Sequence, residues 1–408
     1  MSSLSDKLRS LGVQIGTQGV SPPTKSAPPP QLIDVIPGMW KSTSHGETFI
    51  VEKRYPLDFS LGSISIQPSF SVHPLSKWIG EPSLGEYPLG DYAFIDTETT
   101  GLSGGTGVYT FLIGVGRFQE DHFHISQFFL QDPAQETAQL SALEKLLAPT
   151  KVIISYNGKA FDLPRLKSRY QTHHWPPPLR SILHIDLLHL SRRLWNNQLS
   201  SCTLGDIESC ILNFERSEED VPGWQVSDLF FEYLHTQDPT PLKRIFYHNE
   251  MDVLSMAAIL NRISDILNPP HRETIQRPEE LLSAGKFFAD LNEPDNAISL
   301  LEQSICKLDS DSDLYYEGVK SLSFLHKKKG DYHRAVPLWK EATNRGDFYA
   351  YIELAKYYEH HQKEYQEAIH WTLSAISEVD NARLETHKIH SLKADLEHRL
   401  NRLKKKLE

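Results

Sequence analysis

The sequence predicts an α/β fold in which a mixed β-sheet is flanked by helices, followed by an all-α domain of helical repeats. Residues 92–130 contain three consecutive strand-like runs, and residues 136–165 then have the patterns of a helix, a strand and a helix. Strands followed by such an alternation are typical of a mixed sheet with helices on its faces. From about residue 278 the pattern changes to helices joined by short turns, which indicates a second, helical domain.

The size and composition are those of an ordinary globular protein. The chain has 408 residues, enough for two or three domains, with 39% hydrophobic and 23% charged residues. No run approaches the roughly 20 apolar residues of a membrane helix, and the N-terminus lacks the apolar core of a signal peptide. We therefore expect a cytoplasmic protein with no membrane partner. The three cysteines are too few for a disulfide framework or a zinc cage.

The net charge of −11 disfavours a protein coated in nucleic acid, but the charge is unevenly distributed. Residues 151–200 contain eight Lys and Arg residues against two acidic ones, a local net charge of +6. A basic zone beside acidic metal ligands suits a phosphodiester enzyme, although a solvated surface has the same composition.

The N-terminal quarter carries no recognisable chemistry. Residues 1–35 are predicted to form a flexible arm because they are rich in Ser, Pro and Gly. Residues 36–90 contain short extended runs and are predicted to form a small β-rich lead-in packed on the main domain. We expect the main domain over residues 91–268 and the helical repeats over residues 278–400.

The main domain opens with a strand that ends in two carboxylates, Asp96 and Glu98. Alternate residues of a strand share a face, so these side chains point the same way, about 6.5–7 Å apart. Carboxylates that close repel each other, and a hard divalent cation removes the conflict. An isolated pair is equally compatible with two solvated acids at a strand end, so the assignment depends on acids further along the chain.

The strand at residues 92–98 is predicted to begin an antiparallel meander with strands at residues 109–118 and 122–130. The glycine-rich segment 101–107 is therefore interpreted as a hairpin turn. It lacks the Gly-Lys-Ser/Thr signature of a phosphate loop, and no helix follows it.

A third acid, Asp162, falls in the first turn of a helix predicted after a strand at residues 151–156. Asn157 lies at the end of that strand, where ligands bind in α/β sheets. A helix cap is the alternative role for Asp162. For Asp186, further along, a cap or a partner of the ligands is favoured over direct metal binding.

The fourth acid lies in a long helix predicted from residue 242 to residue 267. His248 and Asp252 are four residues apart and share one helical face. A buried His-Asp pair also occurs for packing alone. Together the four acids, from two strand ends and two helices, need cations, and two metals about 3.5–4 Å apart serve phosphodiester hydrolysis. His248 would then be placed to act as the general base.

Three segments resemble the exonuclease motifs of the DEDD superfamily on an RNase H-like fold: Asp96-Thr-Glu98-Thr-Thr-Gly, Asn157-Gly-Lys-Ala-Phe-Asp162 and His248-Asn-Glu-Met-Asp252. The closer resemblance, over residues 36–268, is to bacterial YprB-type RNase H-like proteins. It includes the segments Thr99–Gly107, Asp186–His189, Ser191–Trp195 and Asp220–Gly223.

The resemblance implies 3′→5′ exonuclease chemistry with two Mg²⁺ or Mn²⁺ ions. Asp96 would bridge both ions, Glu98 and Asp252 would complete the site on the nucleophile side, and Asp162 would hold the other ion. The superfamily has Tyr-x3-Asp and His-x4-Asp types, whereas this chain has His248 at x3 and Tyr247 at x4. Helical geometry favours His248 as the base, because Tyr247 lies about 140° round from Asp252. Substrate contacts are expected from the following residues: Thr97, Thr99, Asn157, Lys159 and Arg165.

The C-terminal region contains an approximate repeat. Tyr332 and Tyr365, like Ala335 and Ala368, are 33 residues apart, close to the 34-residue tetratricopeptide period. Residues 292–298 resemble a third, offset copy. Such repeats either bind a protein partner on a concave surface or only support the catalytic domain.

The favoured hypothesis is therefore a metal-dependent nuclease, acting as a 3′→5′ exonuclease on single-stranded DNA or RNA ends. The alternative is an inactive or weakly active RNase H-like adaptor that binds nucleic acid or protein. An endonuclease for structured nucleic acid would use the same acids.

Overall fold

A computed structural model describes residues 30–68, 73–101, 107–179, 182–268, 275, 277–379 and 386–408. Most of the arm predicted over residues 1–35, and residues 102–106 of the predicted glycine-rich turn, lie outside the described residues. No helix in the described part of the chain is long and apolar enough to cross a membrane.

The described strands form a seven-stranded sheet in the order β1-β2-β7-β6-β5-β8-β9 and a small β3-β4 pair. Their bounds are Met39–Thr43 (β1), Gly46–Pro56 (β2), Ser60–Leu61 (β3), Ile64–Ser65 (β4), Tyr92–Thr99 (β5), Thr110–Phe118 (β6), His122–Phe129 (β7), Val152–Ser155 (β8) and Leu183–Asp186 (β9).

The predicted mixed sheet is confirmed, and so is its central antiparallel meander. Strands β5, β6 and β7 pair antiparallel, whereas β8 is parallel to β5 and β9 is parallel to β8. Residues 36–90 contribute more than a packed lead-in, because β2 pairs with β7 along eight residue pairs and β1 pairs with β2. One edge of the main sheet is thus built from the N-terminal strands, and β9 forms the other.

The helices of the first part of the chain lie on both faces of the sheet or at its ends. Their bounds are Leu32–Val35 (α1), His73–Ile79 (α2), Glu136–Leu147 (α3), Asp162–Thr172 (α4), Leu187–Trp195 (α5), Leu204–Ile207 (α6), Gly223–Thr236 (α7) and Leu242–Leu267 (α8). Short 3₁₀ segments span Pro82–Glu86, Leu89–Asp91 and Pro133–Gln135, and a π turn spans Glu208–Leu212.

Alternation along β5 divides the core between the two faces. Tyr92 and Phe94 pack in one cluster with the apolar face of α8, whereas Ala93 and Ile95 pack in another with α3 and α4. Because successive residues of a strand alternate, Asp96 continues the series of Tyr92 and Phe94. The acids at the end of β5 therefore point to the face that α8 covers.

Two glycines of β6 allow α8 to approach the sheet closely. Gly114 pairs with Asp96 across the β5–β6 ladder, and Gly116 pairs with Phe94. A Cβ atom at Gly114 would lie 2.3 Å from Asn249 Oδ1, and one at Gly116 would lie 2.6 Å from Val253 Cγ1. Neither distance is tolerated, so a side chain at Gly114 would displace Asn249 of α8, and one at Gly116 would displace both Val253 of α8 and Phe123 of β7, which lies 2.4 Å away.

The C-terminal region is all-helical, as predicted, and its arrangement fits repeats of helix pairs. The bounds are Pro278–Asp290 (α9), Pro294–Lys307 (α10), Asp313–Lys328 (α11), Tyr332–Thr343 (α12), Phe348–Tyr357 (α13), Tyr365–Glu378 (α14) and Thr386–Leu407 (α15). A buried alanine stands three residues after the first residue of the second helix in each of three pairs: Ala297, Ala335 and Ala368. The tetratricopeptide assignment itself stays a prediction.

The first helix of this region, α9, packs directly on the α/β domain. Trp195 of α5 is fully buried and donates a hydrogen bond from Nε1 to Glu280 of α9 at 2.8 Å. Arg262 of α8 forms an ion pair with the same carboxylate. Trp195 thus belongs to the interface between the two regions, and α9 supports the helix that carries His248 and Asp252.

The close approach of α8 predicts that Gly114→Ala destabilises the protein. The added methyl group would overlap the Asn249 side chain, and we expect the free energy of unfolding to fall by about 1–3 kcal/mol. Urea unfolding measures this change. Gly90→Ala is the matched control, because the nearest atom to its Cβ would be 3.7 Å away. Equal stability of the Gly114 and Gly90 variants would contradict the packing described here.

Candidate active site

The two acids of β5 lie beneath α8, where Asn249 contacts the first of them. Asn249 is fully buried and donates a hydrogen bond from Nδ2 to Asp96 Oδ2 at 2.8 Å. Its side-chain oxygen accepts a hydrogen bond from Gln127 of β7 at 2.9 Å. Asn249 therefore fixes the orientation of the Asp96 carboxylate.

His248 and Asp252 of α8 complete a cluster with Glu98. His248 Nε2 lies 4.0 Å from Glu98 Oε1 and 3.7 Å from Asp252 Oδ2. One ligand atom from each of these three residues lies within 4.8 Å of the others, a grouping compatible with a metal ion. Tyr247 points elsewhere, because its hydroxyl accepts a hydrogen bond from the Ser217 backbone nitrogen at 3.2 Å. His248 is thus the residue of this pair that faces the carboxylates.

Asp162 reaches the site from the opposite face of β5. It is the first residue of α4, and its carboxylate accepts a hydrogen bond from the Thr97 hydroxyl at 2.5 Å. Thr97 lies between Asp96 and Glu98 in the strand, so its side chain points away from α8 and towards α4. The strand end is therefore flanked by Asp162 on one side and by the α8 residues on the other.

Asp186 is a helix cap and holds the turn that precedes Asp162. Its carboxylate accepts hydrogen bonds from the backbone nitrogens of Asn157 at 2.8 Å, Lys159 at 3.0 Å and Leu188 at 3.1 Å. Asn157 has a positive φ of 65°, which Asn adopts more readily than most residues. The favoured reading of Asp186 as a cap or partner of the ligands agrees with this geometry.

The carboxylates strongly perturb one another. Burial, followed by the charges of Asp252, Glu98 and Asp162, raises the pKa of Asp96 well above its usual range. Burial raises the pKa of Glu98 to about 7, although His248 acts in the opposite direction. Burial also raises the pKa of Asp162 to about 6, against the hydrogen bond from Thr97. The charge of Asp252 acts on all three of these acids, and the four together form the carboxylate unit of the site.

His248 is surrounded by negative charge. Burial acts to lower the pKa of its imidazole, but Asp252, the hydrogen bond to Asp220 and Glu98 outweigh burial and raise the pKa to about 9. Nδ1 lies 2.9 Å from Asp220 Oδ1, so Asp220 holds the ring with Nε2 directed at the acids.

Sequence reasoning missed Arg216, which organises one side of the site. Its guanidinium donates to Glu208 at 2.6 and 2.8 Å and to Asp252, and it lies 3.5 Å from Asp220. Glu208 is buried and also accepts a hydrogen bond from Ser255. The only local signal was the acidic loop that contains Asp220 and leads to α7, since nothing in the spacing indicates that Arg216 meets a residue 36 positions away.

The residues predicted to contact substrate have varied surroundings. Thr97 is bonded to Asp162, and the Thr99 hydroxyl donates to the Gly101 carbonyl at 3.0 Å. The guanidinium of Arg165 lies 5.1 Å from the ring centre of Phe161, which is 42% exposed. These three and Asn157 lie around the acids, and their roles towards substrate stay predictions.

Lys159 lies apart from the acids. Its side chain lines a separate cavity of about 460 Å³ with Lys167 and His184, and none of the four carboxylates lines that cavity. Its expected contact with substrate also stays a prediction.

The donor set fits hard divalent cations. The acids offer oxygen ligands, and hard cations such as Mg²⁺ and Mn²⁺ prefer such ligands. The pKa values of Asp96 and Asp162 stay raised despite the hydrogen bonds that these acids accept from Asn249 and Thr97, so a cation is still needed to balance their charge. The single imidazole among them does not alter this preference.

Comparison with known proteins gives three findings. Residues 93–264 match the model of a family described as the RNase_H superfamily. The uncharacterized protein YprB of Bacillus subtilis (strain 168) is 35% identical over 367 residues, which cover 88% of this chain and 86% of YprB. A similar solved structure is the family B DNA polymerase from the hyperthermophilic archaeon Pyrobaculum calidifontis, with 14% identity and a TM-score of 0.35. That match covers 58% of this chain and 29% of the polymerase.

The coupled carboxylates predict that, without metal, stability falls as the pH rises. The folded-state pKa of Glu98, about 7, exceeds its ordinary value of 4.5, and that of Asp162, about 6, exceeds 3.8. Their contribution to stability is full below about pH 4 and is lost as the pH rises through about 6–7. We expect a loss on the order of a few kcal/mol in EDTA, and recovery at about pH 8 on addition of Mn²⁺.

Thermal unfolding in EDTA and in MnCl₂ measures both effects. Asp96→Asn is the control variant, because it removes one of the repelling charges and should flatten the pH dependence while weakening the response to Mn²⁺. A wild-type unfolding temperature that changes with neither pH nor Mn²⁺ would contradict a cation site.

Proposed function

Because the chain belongs to the YprB family and carries a domain of the RNase H superfamily, we propose that it is a metal-dependent nuclease that removes nucleotides from the 3′ ends of single-stranded DNA or RNA. The superfamily indicates a nuclease-type function. The observation that carries the finer proposal is the convergence of Asp96, Glu98, Asp162 and Asp252 around the end of β5, with His248 beside them. The 3′→5′ polarity rests on the resemblance of the three motifs.

The four carboxylates would hold two divalent cations, Mg²⁺ or Mn²⁺. When bound, the cations would supply Lewis-acid stabilisation of the phosphodiester and lower the pKa of an attacking water. Asn249 keeps Asp96 oriented, and Arg216 occupies one oxygen of Asp252 so that the other remains directed towards Glu98 and His248. The protein thus supplies fixed ligands rather than flexible surface acids.

His248 would accept the proton of the attacking water through Nε2. Asp220 Oδ1 lies 2.9 Å from Nδ1 and Arg216 Nη1 lies 3.1 Å from the same atom, so Nε2 is the ring nitrogen directed at the acids. The charges of Asp252 and Glu98 keep the imidazole protonated at neutral pH when no metal is bound. Neutralisation of the same carboxylates by cations would return the pKa towards its usual range, where imidazole accepts protons.

We expect Asp96→Asn to abolish nuclease activity. The substitution keeps the size of the side chain but removes the charge at the centre of the carboxylate unit. The measurement is metal-dependent shortening of 5′-labelled DNA and RNA oligomers in MnCl₂, resolved on a denaturing gel. Asp228→Asn is the control variant, because Asp228 is exposed on α7 and makes no contact with the acids in the described residues.

The pattern of products separates the alternatives. Stepwise shortening from the 3′ end, lost only in Asp96→Asn, is the expected result. Equal activity in both variants would indicate a contaminant and contradict the proposal. Binding of nucleic acid by the wild type without any cleavage would favour the adaptor instead.

The general-base assignment predicts different effects at neighbouring positions. His248→Ala should slow turnover by about 10²- to 10⁴-fold, because proton transfer from water is lost. Tyr247→Phe should leave turnover near the wild-type rate, since the one hydrogen bond of the Tyr247 hydroxyl among the described residues is with the Ser217 backbone nitrogen. Single-turnover rates at saturating Mn²⁺ measure both. A larger loss in Tyr247→Phe than in His248→Ala would transfer the role to Tyr247.

A further inference from the structure

Two cavities adjoin Asp252. The first, of about 520 Å³, is lined by both Asp96 and Asp252 and includes Arg192 and Asn157. The second, of about 470 Å³, is lined by Asp252, His248 and Arg216. Each cavity is therefore lined both by acids of the site and by an arginine. The two arginines differ in whether their hydrogen-bond donors already have partners.

The arginine of the second cavity already uses its hydrogen-bond donors within the protein. Arg216 is bonded to Glu208 and Asp252 and lies beside Asp220, so its charge is already balanced by acids. Glu215 adds another acidic side chain to the lining. This cavity remains negative even with Asp252 neutralised, which disfavours it as a path for a polyanion.

The arginine of the first cavity is available. Arg192 is exposed in the last turn of α5, and no carboxylate or carbonyl among the described residues accepts a hydrogen bond from it. The next residue provides a contrast, because Arg193 donates to the Lys286 carbonyl at 3.2 Å and forms an ion pair with Asp290. Arg193 thus attaches α5 to the helical region, whereas Arg192 serves no such contact.

The remaining polar groups of the first cavity also divide into those that have a hydrogen-bond partner within the protein and those that do not. Ser201 and Thr203 are both bonded to Asp206 at the start of α6, and the Tyr156 hydroxyl donates to the Cys202 carbonyl at 2.6 Å. In contrast, the side-chain amides of Asn157 and Asn196 have no partner in the described part of the chain. The first cavity is therefore lined, beside Asp96, by one guanidinium and two side-chain amides that have no hydrogen-bond partner among the described residues.

We propose that the first cavity is the entry path of the substrate strand and that Arg192 binds one of its backbone phosphates. This inference rests on the proposed nuclease function and names the side from which the nucleic acid reaches the acids. A planar guanidinium donates two parallel hydrogen bonds to a phosphate, which suits a contact that positions the backbone without reading the base. Asn157 and Asn196 contribute hydrogen bonds to the nucleotide nearest the acids.

The test measures binding rather than cleavage. In the Asp96→Asn background, which prevents turnover, fluorescence anisotropy follows fluorescein-labelled oligothymidylate and oligouridylate over a series of NaCl concentrations. Arg192→Ala should weaken binding of both probes by about tenfold and reduce the slope of log K against log salt by about 0.7–0.9. Arg192→Lys should restore the slope and only part of the affinity, because it keeps the charge but not the paired donors.

Arg193→Ala is the matched control, since it removes the same charge one residue away. We expect it to bind as the Asp96→Asn parent does, with thermal unfolding confirming that all variants are folded. Unchanged affinity and slope in Arg192→Ala, or an equal loss in Arg193→Ala, would overturn the inference while leaving the nuclease proposal intact. Failure of the parent to bind either probe would overturn both.

Discussion

The close approach of α8 to the strand pair β5–β6 is the constraint on which the site depends. Gly114 and Gly116 present no side chains to the helix, so Asn249 and Val253 pack directly against the strand backbone. One turn of α8 then places His248 and Asp252 within reach of Glu98, and Asn249 within reach of Asp96. Packing of apolar residues further along α8 supplies the free energy that holds these charges together.

That packing brings buried carboxylates close together, and bound cations would relieve the repulsion between them. Burial and mutual repulsion raise the pKa values of Asp96, Glu98 and Asp162, so the acids are costly to ionise in the absence of cations. The positive charge of Arg216 balances Asp252 and Asp220, with which it forms ion pairs. The remaining negative charge lies around the end of β5, with Asp96 and Glu98 beneath α8 and Asp162 on the α4 side, and divalent cations would balance it. Arg192 lines the other cavity beside Asp252, and no carboxylate or carbonyl of the described residues accepts a hydrogen bond from it.

The sequence predicted those parts of the structure that depend on local periodicity. Helices α3 and α8 begin and end where the apolar spacing places them, and the i, i+4 relation of His248 to Asp252 indicated a shared face. Strand alternation likewise brought Asp96 and Glu98 together. Long-range contacts left no such signal, which is why pairing of β2 with β7, the meeting of Arg216 with Asp252 and the packing role of Gly114 were not predicted.

Four acids distant in sequence are proposed to form one site for a pair of cations. Anomalous X-ray diffraction from crystals grown with MnCl₂ would detect such ions. We expect two manganese peaks about 3.5–4 Å apart, coordinated by Asp96, Glu98, Asp162 and Asp252. Absence of manganese from these carboxylates, or manganese bound only elsewhere on the protein, would contradict the proposed site.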